Sequence, residues 1–252
     1  MSPNPIHKVL SSIQEHKVRS LLMGGQACVF YGAAEFSRDI DIALLINQLN
    51  LGRFRALLRE LQAEVIAVPS FELDYLRRGH AVHFRCMHPD TGGIRLDVMA
   101  NMRGVDEFSK LWRRRTTIES PDGAIYELMA INDLVKAKKT QRDKDWPMIR
   151  RLVEADYFAN RNALSDAKVR FWMEELRTAE LLVSVAKEWP NSAARVAKHR
   201  PLVRFAQVAD VSGLEWALIE EERMERERDR IYWAPLRKEL FELMHRRNAR
   251  EG

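Results

Sequence analysis

Apolar and polar positions alternate differently in two stretches of the chain. Up to about residue 127, short apolar runs are separated by helical segments and glycine-bearing turns, the pattern of an α/β or α+β region. From about Ile131 the apolar residues recur at helical spacing almost to the end. This predicts a division near residue 130, with a sheet-containing domain over 1–130 and a helical domain over 131–252. The run Ser20–Met23, closed by Gly24 and Gly25, predicts a first strand, and a short helix carrying Ala27, Val29 and Phe30 follows. Arg38 leads into a second strand over 39–46, and Leu51, Phe54, Leu57, Leu58 and Leu61 lie at helical spacing. Residues 80–87 and 94–99 read as the arms of a hairpin whose turn spans 89–93. A further strand pair is expected at 116–118 and 124–128, turning at Pro121, Asp122 and Gly123. Asn132 or Asp133 caps the first of the later helices. Ser165 caps a long helix through about Lys187, with Pro190 beyond it. A charged helix runs from about Gly213 to Tyr232, and a last helix carries Leu236, Leu240, Phe241 and Met244.

Composition narrows the class. A chain of 252 residues makes one large domain or two ordinary ones, and 46% apolar residues exclude a disordered chain. The formal charge of +5 suits a protein that handles a polyanion such as a nucleoside triphosphate or RNA. Charges of both signs are interspersed, so most belong to a solvated surface. Neither Cys28 nor Cys86 belongs to a C-x-x-C pair, which predicts buried free thiols and a reducing, cytoplasmic setting. The opening MSPNPIHKVL lacks the apolar run of a secretory signal, and no stretch is long enough for a membrane span.

The candidate chemistry lies between Leu21 and Leu45. A strand ends at two glycines, and after thirteen intervening residues come two aspartates separated by one apolar residue. Side chains alternate along a strand, so Asp39 and Asp41 share one face while Ile40, Ile42 and Leu44 face a core. Two neighbouring carboxylates repel, and a divalent cation drawing oxygen from both removes that cost. Gly24 and Gly25, having no Cβ, let backbone N–H groups approach a phosphate. Along 94–99, Asp97 shares its face with Arg95 and Met99. A strand laid beside 39–46 would bring Asp97 to Asp39 and Asp41, and three acids could hold two ions. Ser37 and Arg38, just before the pair, are candidates to touch phosphate or nucleotide. Lys136 and Lys139, read as one helix face, with Arg142 and Lys144 after them, are candidates to neutralise the β and γ phosphates. The alternative for these four is a solvated basic surface. His83, Cys86 and His88 form no closed ligand set and read as structural. No Walker-type loop, G-x-G-x-x-G or G-x-S-x-G is present, so P-loop, dinucleotide-binding and α/β-hydrolase readings lose their main support.

The apolar-Gly-Gly corner followed by Asp-apolar-Asp-apolar resembles the signature of the nucleotidyltransferase superfamily. The run from Phe36 to Ile42 resembles the AbiEii/AbiGii-type subgroup, the toxins of abortive-infection toxin–antitoxin systems. The strand around Asp97 and the Lys…Arg-Asp stretch from Lys136 to Asp145 resemble later parts of the same pattern, so the likeness covers roughly the first 150 residues. It implies an α+β fold: a small mixed β-sheet with flanking helices, then a helical C-terminal region. It implies Mg2+ or Mn2+ held by Asp39, Asp41 and Asp97, with Asp97 binding the catalytic ion or helping to deprotonate the acceptor. It also implies a nucleoside triphosphate such as ATP held at Gly24 and Gly25. The acceptor would be RNA, a protein hydroxyl or a small molecule such as an antibiotic, and an antitoxin-like protein is an expected partner. A regulatory module that binds nucleotide without catalysis is the alternative. Where many members carry Gly-Ser, this chain has Gly25, and Trp146, Pro147 and Met148 stand where some members carry a further acid, leaving Asp145 as a candidate base.

Overall fold

The computed structural model describes residues 4–120, 123–162 and 165–251. The chain forms two compact units. One takes the residues up to Phe30, Ala34–Ala137 and those from Tyr232 onward; the other takes Tyr31–Ala33 and Lys138–Ile231. The protein is of the α+β class. No helix among the described residues is long and apolar enough to cross a membrane.

The first unit holds, in chain order, α1 (Pro5–Glu15), β1 (Ser20–Met23), α2 (Gly24–Phe30), β2 (Asp39–Leu44) and α3 (Gln48–Glu60). There follow β3 (Ala63–Val65), α4 (Leu73–Arg78), β4 (Val82–Cys86) and β5 (Arg95–Met99). α5 (Phe108–Arg114), β6 (Thr116–Glu119), β7 (Ile125–Leu128) and α6 (Ile131–Lys138) complete the run. The strands make one mixed sheet in the order β3-β4-β5-β2-β1-β7-β6. β1 pairs antiparallel with β2, and β2 pairs parallel with β5. β1 is central and buried at all four positions, which is why Ser20-Leu-Leu-Met reads as a short apolar run. Phe54, Phe71 and Phe84 meet edge to face under the β4 side of the sheet. Asn50 ties the start of β1 to the end of β2. Its side-chain amide donates to the carbonyls of Arg19 and Leu45, and its oxygen accepts from the Arg19 N–H.

The second unit is helical: α7 (Asp145–Asn160), α8 (Asp166–Glu175), α9 (Ala179–Glu188), α10 (Pro190–Val196), α11 (Val203–Gln207) and the first part of α12 (Val211–Glu251). Its core includes Trp146, Leu152, Trp172, Leu182 and Val185. Arg177 and Arg200, both nearly buried, pair with Glu221, whose carboxyl burial pushes up but the two guanidiniums pull down to about 2. Such a buried charged cluster fixes helices only because each charge is answered.

The helix expected from Ser165 to Lys187 is two. Ser165 does cap α8, but the chain leaves helical geometry at Leu176, where Arg177 donates to Glu221 and to the carbonyl of Leu218. The helices expected at 213–232 and beyond are one, α12, continuous past Pro235. Residues 232 onward belong to the sheet unit, although the sequence pattern put all of 131–252 in a helical domain. Local periodicity carries no trace of what holds them there: Leu236 is buried, and Glu239 accepts from Arg78 and bonds the buried His80. β6 and β7 pair as expected, but Pro121 and Asp122 of their turn lie outside the described residues.

Candidate active site

The register of three strands builds the carboxylate face. Met23 of β1 stands opposite Asp41 of β2, and Asp41 stands beside Asp97 of β5. One step along, Asp39 stands beside Arg95. The same two rows continue into β4, where His83 pairs with Asp97 and Arg85 with Arg95. One sheet face therefore carries Asp39, Asp41, Asp97, Arg95 and His83 together, because positions two apart on a strand point the same way. Ile40, Ile42, Leu96 and Val98 point the other way and are buried. Asp39 is exposed, Asp41 half-buried and Asp97 nearly buried.

The glycine corner closes on this face. Gly24 has φ +65, and a Cβ added to it would lie 1.9 Å from Oδ2 of Asp41. Only a residue without a side chain allows that approach. A Cβ on Gly25 would lie 2.6 Å from Oγ of Ser37, so the Ser37 hydroxyl fills the space where a side chain at 25 would begin. That hydroxyl donates to the carbonyl of Asp39. Arg38 is exposed, its guanidinium 6.0 Å from the Phe36 ring.

Asp97 is not presented as an open metal ligand. Nε of Arg95 donates to its Oδ1 at 2.7 Å and Nη2 to its Oδ2 at 2.8 Å. Nδ1 of His83 lies 2.8 Å from Oδ1 and 3.0 Å from Nη2 of Arg95. A protonated Nδ1 donates to Asp97, whereas a bare Nδ1 accepts from Arg95, so the tautomer decides which partner His83 serves. Burial pushes the Asp97 carboxyl up, but the hydrogen bonds from His83 and Arg95 outweigh it and hold the group below the usual carboxylate range. The bond to Asp97 raises Arg95 in turn, despite burial, with Asp39 and Asp41 adding to it by charge. Among the described residues, no group of three or more His, Cys, Asp or Glu side chains is arranged to hold a metal ion. The strand register brings the three carboxylates expected from the sequence to one face, and Arg95 donates to both oxygens of Asp97 there. Asp39 and Asp41, with backbone packed against the second, fit a hard divalent cation, which takes one or two carboxylates along with water and phosphate.

The basic residues fall differently. Lys136 is exposed on α6 in the sheet unit. Lys139 lies past the end of α6, in the other unit, and pairs with Glu175 at 2.7 Å. The shared helix face expected for Lys136 and Lys139 is therefore absent, because the helix stops at Lys138. Arg142 pairs with Asp145 at 2.8 Å, and Lys144 is exposed at the start of α7. Asp145, the candidate base, is buried among Lys138, Thr140 and Arg142, which pull its carboxyl down against the push of burial. These three partners all lie within ten residues of it and in its own unit.

Spacing read His83 as structural and did not pair it with Arg95 and Asp97. Parity along each strand puts Arg95 with Asp97, which the sequence showed. It does not give the cross-strand partner, and the antiparallel β4–β5 register supplies it. Cys86, on the other parity from His83, is buried, and its thiol is pushed up to about 11 by that burial. Both cysteines are buried and neither is in a disulfide, as expected.

No protein-family model matches the chain, and no curated protein does. Among solved structures it is similar to the crystal structure of JHP933 from Helicobacter pylori, at 12% identity and a TM-score of 0.39, over 98% of this chain and 95% of that one.

Proposed function

We propose that this protein is a metal-dependent nucleotidyltransferase that moves a nucleoside monophosphate from a nucleoside triphosphate to a hydroxyl acceptor. The observation that supports this most is the carboxylate row, Asp41 beside Asp97 with Asp39 on the same face, closed by Gly24 against Asp41. Asp39 and Asp41 would hold the divalent cation, Mg2+ or Mn2+, which when bound supplies neutralising charge to the triphosphate. The backbone at Gly24 and Gly25 and the hydroxyl of Ser37 would bind phosphate oxygens, the serine standing in for the side chain that residue 25 lacks. Arg95 adds a planar guanidinium among the acids, suited to pair with a phosphate once it leaves Asp97. Asp97 acts by charge and not as a base while Arg95 grips it, since a carboxylate held below its ordinary range is a poor proton acceptor. The net charge of +5 favours a polyanionic acceptor, hence RNA over a protein hydroxyl or a small antibiotic.

A second reading, a module that binds nucleotide without transferring it, draws on one observation: both oxygens of Asp97 are engaged by Arg95. One experiment separates the two. The protein is incubated with Mg2+ and each α-labelled nucleoside triphosphate, with total tRNA, the protein itself and aminoglycosides as acceptors. Label in one acceptor, lost in Asp41→Asn, is the expected result. Nucleotide uptake without transfer selects the second reading, and neither uptake nor transfer contradicts both.

A further inference from the structure

On the sheet face turned away from the carboxylates, the space between α1 and the sheet is incompletely filled. Leu22 and Ile42 are the alternates of Met23 and Asp41, and with Leu10, Ile13 and Ile125 they line a cavity of ≈ 180 Å³. It shares Leu10 and Tyr126 with a wider cleft of ≈ 420 Å³, lined also by His7, Gln26, Phe30 and Ser120. That volume is of the size that takes small molecules. Three features define what would fit. Gln26 is 7% exposed, and its amide oxygen is buried without a hydrogen-bond partner. A desolvated acceptor is a standing cost that a bound donor removes. The rings of Phe30 and Tyr126 lie 5.0 Å apart and offer apolar faces, with the Tyr126 hydroxyl 3.0 Å from Nδ1 of His7. No Asp, Glu, Lys or Arg lines the cleft among the described residues, so that lining carries no permanent charge.

We propose that this cleft binds an uncharged planar heterocycle with an exocyclic amino group, a nucleobase of the adenine type. The amino group donates to Oε1 of Gln26, and the ring packs against Phe30 and Tyr126. The inference goes beyond nucleotidyl transfer and uses none of the residues on the carboxylate face.

The probes are 9-methyladenine, which can donate only through its amino group, and 9-methylpurine, which has no N–H donor. Each is titrated into the full chain by calorimetry and by saturation-transfer NMR. The wild-type protein is expected to bind 9-methyladenine at least about tenfold more tightly, because a site built around a hydrogen bond rejects the analogue lacking it. Gln26→Leu is expected to erase the difference by weakening 9-methyladenine alone, with folding checked by thermal denaturation, while Asp41→Asn leaves it intact. Equal affinity for the two probes overturns the proposal. So does the absence of binding at millimolar concentration, or a preference that survives Gln26→Leu. The wild-type comparison decides even where the Gln26 variant does not fold.

Discussion

At the scale of single residues, the candidate site is held by one close approach and one ion pair. Gly24 sits where an added Cβ would overlap the Asp41 carboxylate, at a φ that L side chains rarely adopt. Gly24→Ala is therefore expected to destabilise the sheet unit by ~1–3 kcal/mol through backbone strain and to abolish any nucleotide binding. Thermal denaturation and a nucleotide titration check the two effects, and an alanine variant of wild-type stability would contradict the close approach. Arg95 poses the opposite trade. Arg95→Gln removes two hydrogen bonds from a nearly buried carboxylate, which is expected to lower stability by ~1.5–3 kcal/mol. It also removes a positive charge beside Asp39 and Asp41, so affinity for a divalent cation is expected to rise. A titration with Mn2+ in which the variant binds no more tightly than the wild type would show that Arg95 does not compete with metal. The acids were legible in the sequence because strand parity alone puts Asp39 with Asp41 and Asp97 with Arg95. The grip of Arg95 on Asp97 was not, since an i, i+2 pair on a strand can equally stand side by side without bonding.

At the scale of elements, periodicity found most of what it could find. β1 runs over the expected Ser20–Met23, and β2, β4 and β5 fall within the expected strands. What it missed are places where a contact distant in sequence overrides local preference. The break between α8 and α9 follows the buried Arg177, and the stop of α6 before Lys139 accompanies the pairing of that lysine with Glu175. Both partners lie more than 30 residues away in the chain. α1 is tied to α3 by a similar device: Lys8, Ser12 and His16 all reach Glu60. The bond from Lys8, aided by Ser12 and His16 and opposed by burial, lowers the Glu60 carboxyl from 4.5 to about 2. A carboxylate depressed in the folded state stabilises above its unfolded pKa and loses that contribution as it protonates. The tie is therefore expected to be complete above pH 4.5 and to fade as pH falls towards 2. Melting temperature followed through that window should decline less steeply in Glu60→Gln than in the wild type. Parallel slopes would mean that the cluster does not couple to folding.

At the scale of the whole molecule, the sequence divided the chain once, near residue 130, whereas the fold returns its last stretch to the sheet unit. A sheet-containing first part and helices after it follow from pattern, the mixed sheet was implied by the family resemblance, and the register that assembles the face follows from topology that pattern does not specify. Asp39, Asp41, Asp97, the glycine corner, Ser37 and Arg38 all lie in the sheet unit. The most direct test is the binding of Mn2+ with ATP to the full chain, read as enhancement of water-proton relaxation. The wild-type protein should give a strong enhancement that requires the nucleotide, and Asp39→Asn and Asp41→Asn should each weaken it at least about tenfold while keeping the wild-type fold. An enhancement unchanged in Asp41→Asn, or none in the wild type, would contradict a cation-binding role for this carboxylate face.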